Sequence, residues 1–579
     1  MTQECKKSRL APSYRIQTLT HATSHPLGVK PSGNALLEGA DPKERREIRS
    51  KNLGTLADFP EELLMELFSY ILDPKTLHSF ACASRMLYAY TYDEDIWRKL
   101  YMREYTRLEY MQRENKSDKP IVPFGCSSWK GTWRNTLLKL EPENEALIQT
   151  NNTLYSDMLY RPYQCSQIDY LHIFRKIIDY EKASHELGYN LNKDFGIDRF
   201  SESDFDQEKF ENKYIDKPFI LHSQENNGRW PVWSIDDLAA EYQQVSFRQE
   251  SVKWTLSNYA SYSRNNRDES PLYLFDCNSE AMNKIKDSYE SPDIFHKDFF
   301  RLFQEDGINC RPDHRWLIVG PARSGSTFHK DPNNTSAWNT VLSGMKLWIM
   351  LPPHVKPPGV STDSEEEEVT SPVGIAEWVL SGYYNDAVKM AQNGDCLIGI
   401  TFPGECIYVP SGWWHTVINL TDTVALTENF VPQPILPKVL NFLKNKPKQL
   451  SGFHFKDLAD SIEAFLTQKG DGIKNQEHTK LLQEFVNYRD IRNFDNEDCG
   501  ILSDCTVKPP IYEFLVELLA QSKNKDCLSW ALEKAAKLES IMLREKKLNS
   551  ARENVKVSEL WSNLTKQADT AFSFGFTEQ

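Results

Sequence analysis

The feature that most limits the fold is a series of short β-prone segments between about residues 195 and 432. They are rich in β-branched and aromatic residues, and Gly, Pro and Asn separate them. Short strands at irregular spacing are typical of a β-sandwich or an open barrel. In chain order the segments are KPFILHS, PLYLFD, RWLIVGP, KLWIMLPP, ECIYVPSGWWHTVINL and TVALTENF.

The whole chain is too long to form a single hydrophobic core. Its 579 residues favour two or three domains. Near the C-terminus, apolar residues recur on one face of residues 527–543, a stripe that suits either a core or the interface of a homodimer. The predicted organisation is a flexible basic arm (1–52), a helical domain (53–105), a helical linker (106–194), the β-rich domain (195–432) and a helical C-terminal region (433–579).

Charge and cysteine content argue against several classes of protein. A net charge of -14 gives no general attraction to nucleic acid or anionic lipid. The eleven cysteines include no CxxC pair, which indicates reduced thiols in a nuclear or cytoplasmic protein. No apolar segment approaches the roughly 18 residues of a membrane span. The basic segment 43–51, KERREIRSK, suits a nuclear-import signal or an ordinary solvated segment.

Residues 53–105 have the pattern of three short helices. Asp58 is placed to cap the first helix, in which apolar residues recur at helical spacing from Leu63 to Leu72. Residues 77–90 predict a second helix, and a third begins at Ile96. Because three short helices form only a small core, we expect an apolar outer face that binds a partner.

This helical pattern resembles the F-box, a unit that docks on the Skp1 adaptor of cullin ubiquitin ligases. The later segment WKGTWRNTLL is similar to the helix that often follows an F-box. The resemblance therefore implies Skp1 as a partner. It depends on Leu56, Phe59, Pro60, Glu61, Leu63, Leu67, Leu72, Leu77, Phe80, Cys82, Ser84, Leu87 and Trp97.

A candidate metal site lies within the β-rich domain. In a strand, residues two apart point to the same face, so His329 and Asp331 can enter one cavity. An imidazole and a carboxylate supply two of the three ligands of a facial iron site. His415 is the best third ligand, since it follows a turn and an aromatic pair, whereas His354 follows two prolines in a loop. By itself the His-x-Asp pair also suits an ordinary polar strand end.

An acidic run, DSEEEE at residues 363–368, interrupts the β-rich domain. Consecutive carboxylates cannot all face one ion. We therefore predict a solvated loop between strands and not a second metal site.

The segments around these histidines resemble the JmjC family of Fe(II)- and 2-oxoglutarate-dependent oxygenases. They are GPARSGSTFHKDPNNTSAWNTVLSGMKLWIMLPP, GECIYVPSGWWHTVINL and TVALTENF. The similarity covers residues 195–432 and is closest to the branch of lysyl hydroxylases related to the phosphatidylserine-receptor-like protein. It implies a double-stranded β-helix, also called a jelly roll or cupin fold, with flanking helices.

The resemblance also implies roles for single residues. His329, Asp331 and His415 match the iron ligands, and Lys346 matches the lysine that pairs with the distal carboxylate of 2-oxoglutarate. Two residues depart from the branch: Ser326 replaces a threonine, and Phe328 replaces a smaller aliphatic residue, which puts substrate selectivity in doubt. The other matching positions are Tyr273, Asn339 and Thr427, which contact 2-oxoglutarate, and Asn429 and Trp414, which line the pocket.

The implied activity is oxidation of a protein substrate with Fe(II), 2-oxoglutarate and O2. Protein lysyl hydroxylation is favoured, and demethylation of methyl-lysine or methyl-arginine in a histone or another protein is the main alternative. Hydroxylation of an RNA base is disfavoured by the negative net charge. A different class of function is a ubiquitin-ligase adaptor whose JmjC cavity only recognises a client. The intact set of predicted ligands favours an enzyme.

Overall fold

The computed structural model describes residues 42–114, 129–140, 165–191, 196–222, 229–250, 252–363, 366, 369–370, 374–492, 508–544 and 547. The predicted arm before residue 42 and much of the predicted linker lie outside this range. The α-helices are α1 Pro42–Leu53, α2 Glu61–Ser69, α3 Pro74–Ala81, α4 Arg85–Thr91, α5 Glu94–Glu114, α6 Trp133–Leu138, α7 Tyr170–Ile173, α8 Arg175–Leu187, α9 Gln207–Lys209, α10 Ile235–Glu241, α11 Leu256–Arg264, α12 Glu280–Ile285, α13 Ile375–Leu380, α14 Tyr383–Gln392, α15 Leu436–Asn445, α16 Phe455–Lys469, α17 Gln476–Arg492, α18 Ile511–Gln521 and α19, residues 528–544. The strands are β1 Asp198–Ser201, β2 Phe219–His222, β3 Ser246–Gln249, β4 Val252–Thr255, β5 Leu274–Asp276, β6 Arg315–Gly320, β7 Gly325–His329, β8 Ser336–Ser343, β9 Lys346–Leu351, β10 Ser361–Thr362, β11 Val369–Thr370, β12 Leu397–Thr401, β13 Cys406–Val409, β14 Trp414–Asn419 and β15 Thr423–Phe430.

The N-terminal helices are more numerous than the sequence predicts. The expected second helix is divided, because Ser84 accepts a hydrogen bond from the Leu87 N–H and so caps a separate helix, α4. The predicted cap at Asp58 is wrong. Asp58 ends a 3-10 turn, and α2 begins after Pro60, which occupies the N-cap position without a side-chain cap.

The end of the predicted flexible arm is helical. Helix α1 leads into the 3-10 turn before α2, and Leu53 is buried. Arg49 fixes this turn by donating hydrogen bonds to the carbonyl oxygens of Ala57, at 2.6 Å, and Phe59. Because the guanidinium joins α1 to the turn, the basic segment has a structural role that its composition does not reveal.

Two sheets form the predicted jelly roll. The larger has nine strands in the order β1-β2-β13-β8-β15-β6-β5-β3-β4, and the smaller has four in the order β12-β9-β14-β7. β1 and β2 are parallel, whereas the other neighbouring strands are antiparallel. The predicted jelly-roll fold is therefore confirmed.

The smaller sheet is buried on both faces. In β9, Trp348 and Met350 point to the interior between the sheets, whereas Leu347 and Ile349 pack against the outer helices. Helices α7, α8, α13 and α14 cover this outer face. Burial on both sides explains why β9 is a continuous apolar run without alternation. Each fully buried aliphatic side chain contributes roughly 1.5–3 kcal/mol.

The chain divides into two compact units. The first lies within residues 1–296, 313–331 and 335–430 and contains the N-terminal helices together with the jelly roll. In this unit, one hydrophobic cluster continues from the N-terminal helices into the larger sheet. The Trp254 indole donates to the Tyr101 hydroxyl at 2.9 Å, and the Trp133 indole donates to Asp268 at 2.7 Å.

The second unit lies within residues 297–312, 332–334 and 431–579 and contains helices α15 to α19. The C-terminal region predicted from residue 433 thus also includes an earlier segment. Phe303 explains this, because its ring lies 5.6 Å from that of Phe453 and 6.0 Å from that of Phe514. No described helix is long and apolar enough to cross a membrane.

Candidate functional site

The interior of the jelly roll brings the predicted metal ligands together. β7 and β14 pair antiparallel with His329 opposite His415, and the two imidazole rings lie 4.2 Å apart. Asp331 follows β7, and one ligand atom from each of the three residues lies within 4.8 Å of the others. Among the described residues, this is the one group of three His, Cys, Asp or Glu side chains close enough to hold a metal ion.

Backbone carbonyls determine which imidazole nitrogen faces the cavity. Nδ1 of His329 lies 2.7 Å from the Thr327 carbonyl, and Nδ1 of His415 lies 3.1 Å from the Trp413 carbonyl. A carbonyl oxygen can only accept, so each Nδ1 carries the proton and donates it. Each Nε2 therefore keeps a lone pair for a metal ion.

The carboxylate has an oxygen without a hydrogen bond. Asn429 hydrogen-bonds the Asp331 side chain, but Oδ2 of Asp331 is buried with no partner. A buried carboxylate oxygen is costly unless it is paired or binds a metal. Two imidazoles and one carboxylate form a donor set that Fe(II) accepts, so these three residues fit an iron ion.

Burial changes the protonation of this group. Burial, together with a smaller effect of the neighbouring His415, lowers the pKa of His329 to about 4, although Asp331 opposes the shift. Burial also lowers the pKa of His415 to about 4. The pKa of Asp331 rises to about 6, because burial outweighs the favourable charge of His329 and the Asn429 hydrogen bond. At neutral pH the histidines are neutral and the aspartate is largely ionised, as metal binding requires.

A β-bulge places Ser326 on the same face as His329. His415 pairs with His329, and Val417 pairs with Ser326, so two steps along β14 correspond to three along β7. The extra residue restores Ser326 to the interior face. Without it, the alternation of side chains would turn a residue three positions before His329 to the outer face.

Lys346 lies at the other end of the same interior. It pairs with Asn419, four residues beyond His415 on β14, which corresponds to about 13 Å along a strand. Its side chain is 1% exposed, and its ammonium donates to the Tyr273 hydroxyl at 2.7 Å. Among the described residues no carboxylate pairs with this ammonium, and burial lowers its pKa to about 7. A buried cation of this kind suits an anionic ligand.

Asn339 and Thr427 lie opposite each other on β8 and β15 of the larger sheet. The Thr427 hydroxyl donates to the Trp338 carbonyl at 2.6 Å, and Oδ1 of Asn339 is buried without a hydrogen bond. Thr427 precedes Asn429 by two residues on β15, so the two side chains point to the same face of the sheet. Asn429 is the residue that hydrogen-bonds Asp331. Asn339 and Thr427 thus face the interior between the two sheets, as the metal ligands and Lys346 do.

Two positions predicted to affect the pocket face the other way. Phe328 packs outside the smaller sheet against Trp378 of α13, with ring centroids 5.4 Å apart. Trp414 also belongs to the outer cluster, whereas Trp413 lies in the interior with Val417. The strand alternation around His415 explains this, because its neighbour Trp414 must point outward. Phe328 therefore does not shape the pocket.

Asn419 and Ser324 were not predicted from the sequence. Asn419 is fully buried, donates to the Ser324 hydroxyl at 2.8 Å and also hydrogen-bonds Tyr273. Counting alternate residues along β14 from His415 would have placed Asn419 in the cavity. No comparable signal marks Ser324, because it precedes β7.

The N-terminal helices expose an apolar face. Leu63 and Leu67 lie one turn apart on α2 and are 53% and 42% exposed, whereas Leu64 and Phe68 are completely buried on the opposite side. Three further apolar side chains extend this face, each more than 40% exposed: Phe59, Tyr70 and Leu72. An exposed patch of this composition is typical of a protein interface.

Comparisons with known proteins identify two domains. Residues 197–434 match the family described as a cupin-like domain, and residues 56–103 match the family described as F-box-like. A protein of Arabidopsis thaliana named arginine-specific demethylase JMJ22 is 32% identical over 446 residues, which are 74% of this chain and 78% of that protein.

Two other relatives match over the jelly roll. The bifunctional arginine demethylase and lysyl-hydroxylase psr-1 of Caenorhabditis briggsae is 35% identical, over 40% of this chain and 59% of that protein. The 2-oxoglutarate and iron-dependent oxygenase JMJD4 of Mus musculus is 30% identical, over 35% of this chain and 45% of that protein. The chain thus spans about half the length of these two relatives.

Proposed function

This chain belongs to the JmjC family of Fe(II)- and 2-oxoglutarate-dependent oxygenases and carries an F-box-like domain, and on this basis we propose that it hydroxylates lysine side chains of a protein substrate. The observation that supports the proposal is that three convergent metal-binding groups and one buried lysine face the same interior between the two sheets. The buried ammonium of Lys346 suits a carboxylate group of a dicarboxylate, and the three metal-binding residues suit the iron.

His329, Asp331 and His415 would hold the iron, and Lys346 would bind the distal carboxylate of 2-oxoglutarate. When bound, iron and 2-oxoglutarate activate O2, so that one oxygen atom enters succinate as CO2 leaves and the other enters a substrate C–H bond. Tyr273 orients the ammonium of Lys346 through its hydroxyl. The other predicted contacts of 2-oxoglutarate are Ser326, Asn339 and Thr427.

Demethylation is the second candidate. Insertion of oxygen into an N-methyl C–H bond gives a hemiaminal, which releases formaldehyde. The names of the relatives from Arabidopsis and Caenorhabditis include arginine demethylase, and this supports the alternative. The reaction at the cavity is the same, so the position of the substrate carbon decides between the two products.

Peptide turnover tests this proposal. Full-length protein is incubated with Fe(II), 2-oxoglutarate and oxygen, together with basic peptides that contain lysine, methyl-lysine or methyl-arginine. We expect succinate and a lysine peptide that gains one oxygen atom, and no turnover by His329→Ala. Turnover restricted to methylated peptides, with release of formaldehyde, would instead identify a demethylase.

The exposed face of α2 supports Skp1 as a docking partner. This proposal makes the chain both an oxygenase and a component of a cullin ubiquitin ligase. The alternative, a pure adaptor whose cavity only recognises a client, predicts Skp1 binding without any turnover. Nuclear or cytoplasmic location stays a prediction.

A homodimer through the C-terminal stripe is a further proposal. Ala531 and Ala535 of α19 are buried, whereas Ile541, Met542 and Leu543 are each about half exposed. We expect light scattering to give a dimer mass for the wild type and a monomer mass for Ile541→Glu. A monomer mass for both proteins would reject the dimer.

A further inference from the structure

The residues that separate or adjoin the predicted metal ligands meet on the outer face of the smaller sheet. Lys330 lies between His329 and Asp331, and Trp414 directly precedes His415. The ammonium of Lys330 lies 4.5 Å from the centroid of the Trp414 ring. A cation over an indole face at this distance is an attractive contact.

The acidic run supplies a third member of this contact. Oε2 of Glu366 lies 2.5 Å from Nζ of Lys330, with the lysine side chain 23% exposed and the glutamate 38% exposed. Glu366 has a φ of 57°, and its N–H donates to the Asp363 carbonyl at 3.3 Å. A non-glycine residue holds this left-handed conformation where local contacts fix it. At least one carboxylate of the predicted solvated loop therefore has a specific partner.

Glu366 belongs to the segment between β9 and α13, residues 352–374 and named here the insertion, which starts and ends beside strands that carry the metal ligands. The insertion follows Leu351 of β9, which pairs with Trp414. It returns through α13, where Trp378 packs on Phe328 of β7 and its indole donates to the Pro358 carbonyl at 2.8 Å. The two strands that carry the histidines thus lie next to the two ends of the insertion.

We propose that Lys330, Trp414 and Glu366, named here the outer clamp, position the three metal ligands. The proposal rests on the proposed function, since it assumes that these ligands bind iron. Because Lys330 is the residue between two ligands, holding its side chain against Trp414 fixes the end of β7 against the start of β14. Metal ligands must be held within a fraction of an ångström, which neighbouring contacts of this kind achieve.

If Lys330 affected metal binding only through its charge, its replacement would have the opposite effect on metal affinity from the one expected if it positions the ligands. The ammonium of Lys330 carries positive charge beside a site for a divalent cation, so removing that charge should strengthen metal binding. If Lys330 instead positions the ligands, its removal should weaken metal binding. Lys330→Met therefore separates the two effects, because methionine keeps an apolar stem over Trp414 but has no charge.

Mn(II) titration of the full-length protein tests the outer clamp, with affinity measured by calorimetry. We expect about tenfold weaker Mn(II) binding for Lys330→Met and a smaller loss for Glu366→Gln, in the range found when groups around metal ligands are replaced. Lys330→Arg should stay within about twofold of wild type, because guanidinium retains both contacts. Lys389→Met, which breaks the exposed pair of Lys389 with Asp386 on α14, is the matched control and should not change affinity.

The outcomes separate this proposal from the metal assignment itself. Equal or tighter Mn(II) binding by Lys330→Met overturns the outer clamp when the wild type binds and His329→Ala does not. Absence of Mn(II) binding by wild-type protein overturns the metal assignment and the clamp together. Should Lys330→Met fail to fold, Lys330→Gln replaces it and is judged by the same criterion, because glutamine also removes the charge.

Discussion

The ammonium group of Lys346 is buried inside the jelly roll, and its burial should make the binding of 2-oxoglutarate depend on pH. Burial lowers its pKa to about 7 in the protein without 2-oxoglutarate. A carboxylate beside the ammonium would favour the charged form and raise the pKa again. Binding of 2-oxoglutarate above neutral pH should therefore be accompanied by proton uptake.

The affinity of the metal-loaded protein for 2-oxoglutarate should depend on pH in one direction. Below about pH 7 the lysine is already charged, and the Kd should be constant. Above that pH the Kd should rise by up to about tenfold per pH unit, because the lysine must first be protonated. Calorimetry with Mn(II)-loaded protein measures this. A Kd that stays flat to about pH 9 would contradict the lowered pKa of Lys346.

At the scale of single residues, the sequence predicted which residues form the site better than it predicted which way their side chains point. The ligand triad and Lys346 follow from residue type and from the resemblance; the triad converges, and Lys346 faces the same interior. The bulge that turns Ser326 inward depends on pairing with a strand some ninety residues away, which local patterns do not contain. The outward direction of Phe328 has the same origin, since it follows the face that α13 covers.

At the scale of elements, α2 presents Leu63 and Leu67 to solvent while it buries Leu64 and Phe68. If Skp1 binds this face, Leu63→Glu and Leu67→Glu should each weaken its retention by full-length protein at least tenfold, as burial of a charge in an interface costs about 2 kcal/mol or more. Leu187→Glu is the matched control, because Leu187 is a half-exposed leucine on α8. Equal retention of Skp1 by all variants would reject this docking face.

The carboxyl group of Glu94, where α5 meets α6, is buried in a way that disfavours its ionised form. Oε2 of Glu94 accepts the Trp133 N–H at 2.7 Å, whereas Oε1 is buried without a hydrogen bond. Burial raises the pKa of Glu94 from 4.5 to about 8, which outweighs the opposing effect of that hydrogen bond. The folded state thus binds a proton that the unfolded state releases, so stability falls as the pH rises between these two values.

Glu94→Gln should remove this pH dependence, since an amide keeps the acceptor for the Trp133 N–H. Its gain in the free energy of unfolding over the wild type should grow from about pH 4.5 to about pH 8 and then level off. Because one pKa unit corresponds to about 1.4 kcal/mol, the two pKa values imply a total change of about 5 kcal/mol. Denaturant unfolding at several pH values measures it. A gain that is the same at pH 5 and pH 9 would contradict the assigned pKa.

The elements were predictable where a local signal exists. Helical spacing located α2, and β-prone segments located most strands of the barrel. The division between α3 and α4 was missed because Ser84 lies inside an apolar run, and its capping hydrogen bond is visible only in the structure. Helix α1 was missed because its composition is that of a solvated arm, whereas Arg49 bonds it to the following turn.

At the scale of the whole molecule, the F-box and the jelly roll share one core. Tyr101 and Trp133 from α5 and α6 pack around Trp254 of β4, with ring centroids 5.8 Å and 5.7 Å from it. Arg98 adds an ion pair to Glu250 at 3.0 Å. A partner on the exposed face of α2 would therefore be held in a fixed position relative to the cavity.

A fragment of residues 50–140 should consequently be unstable. It would expose Tyr101, Trp129 and Trp133, whose rings contact Trp254 of β4 or Tyr262 of α11 in the full chain. We expect no cooperative thermal transition of the fragment by circular dichroism. In the intact protein, amide hydrogens of α5 and β4 should exchange with similar protection. A sharp transition of the isolated fragment would show that the F-box folds independently.

The sequence separated these regions into domains because their local patterns differ. Helical and strand periodicities reveal where one type of element ends, but they do not reveal which apolar faces meet. Nothing in the sequence indicates that the aromatic residues of α5 and α6 pack against β4. For the same reason, the assignment of residues 297–312 to the unit of the C-terminal helices could not be predicted.

The central claim is that one cavity holds iron through His329, Asp331 and His415 and 2-oxoglutarate through Lys346. Anaerobic equilibrium dialysis of Fe(II) and 2-oxoglutarate tests it without requiring the protein substrate. We predict that the wild type retains both, that His329→Ala retains neither, and that Lys346→Ala retains iron but loses 2-oxoglutarate. Retention of iron by His329→Ala, or of 2-oxoglutarate by Lys346→Ala, at the level of the wild type would contradict the account.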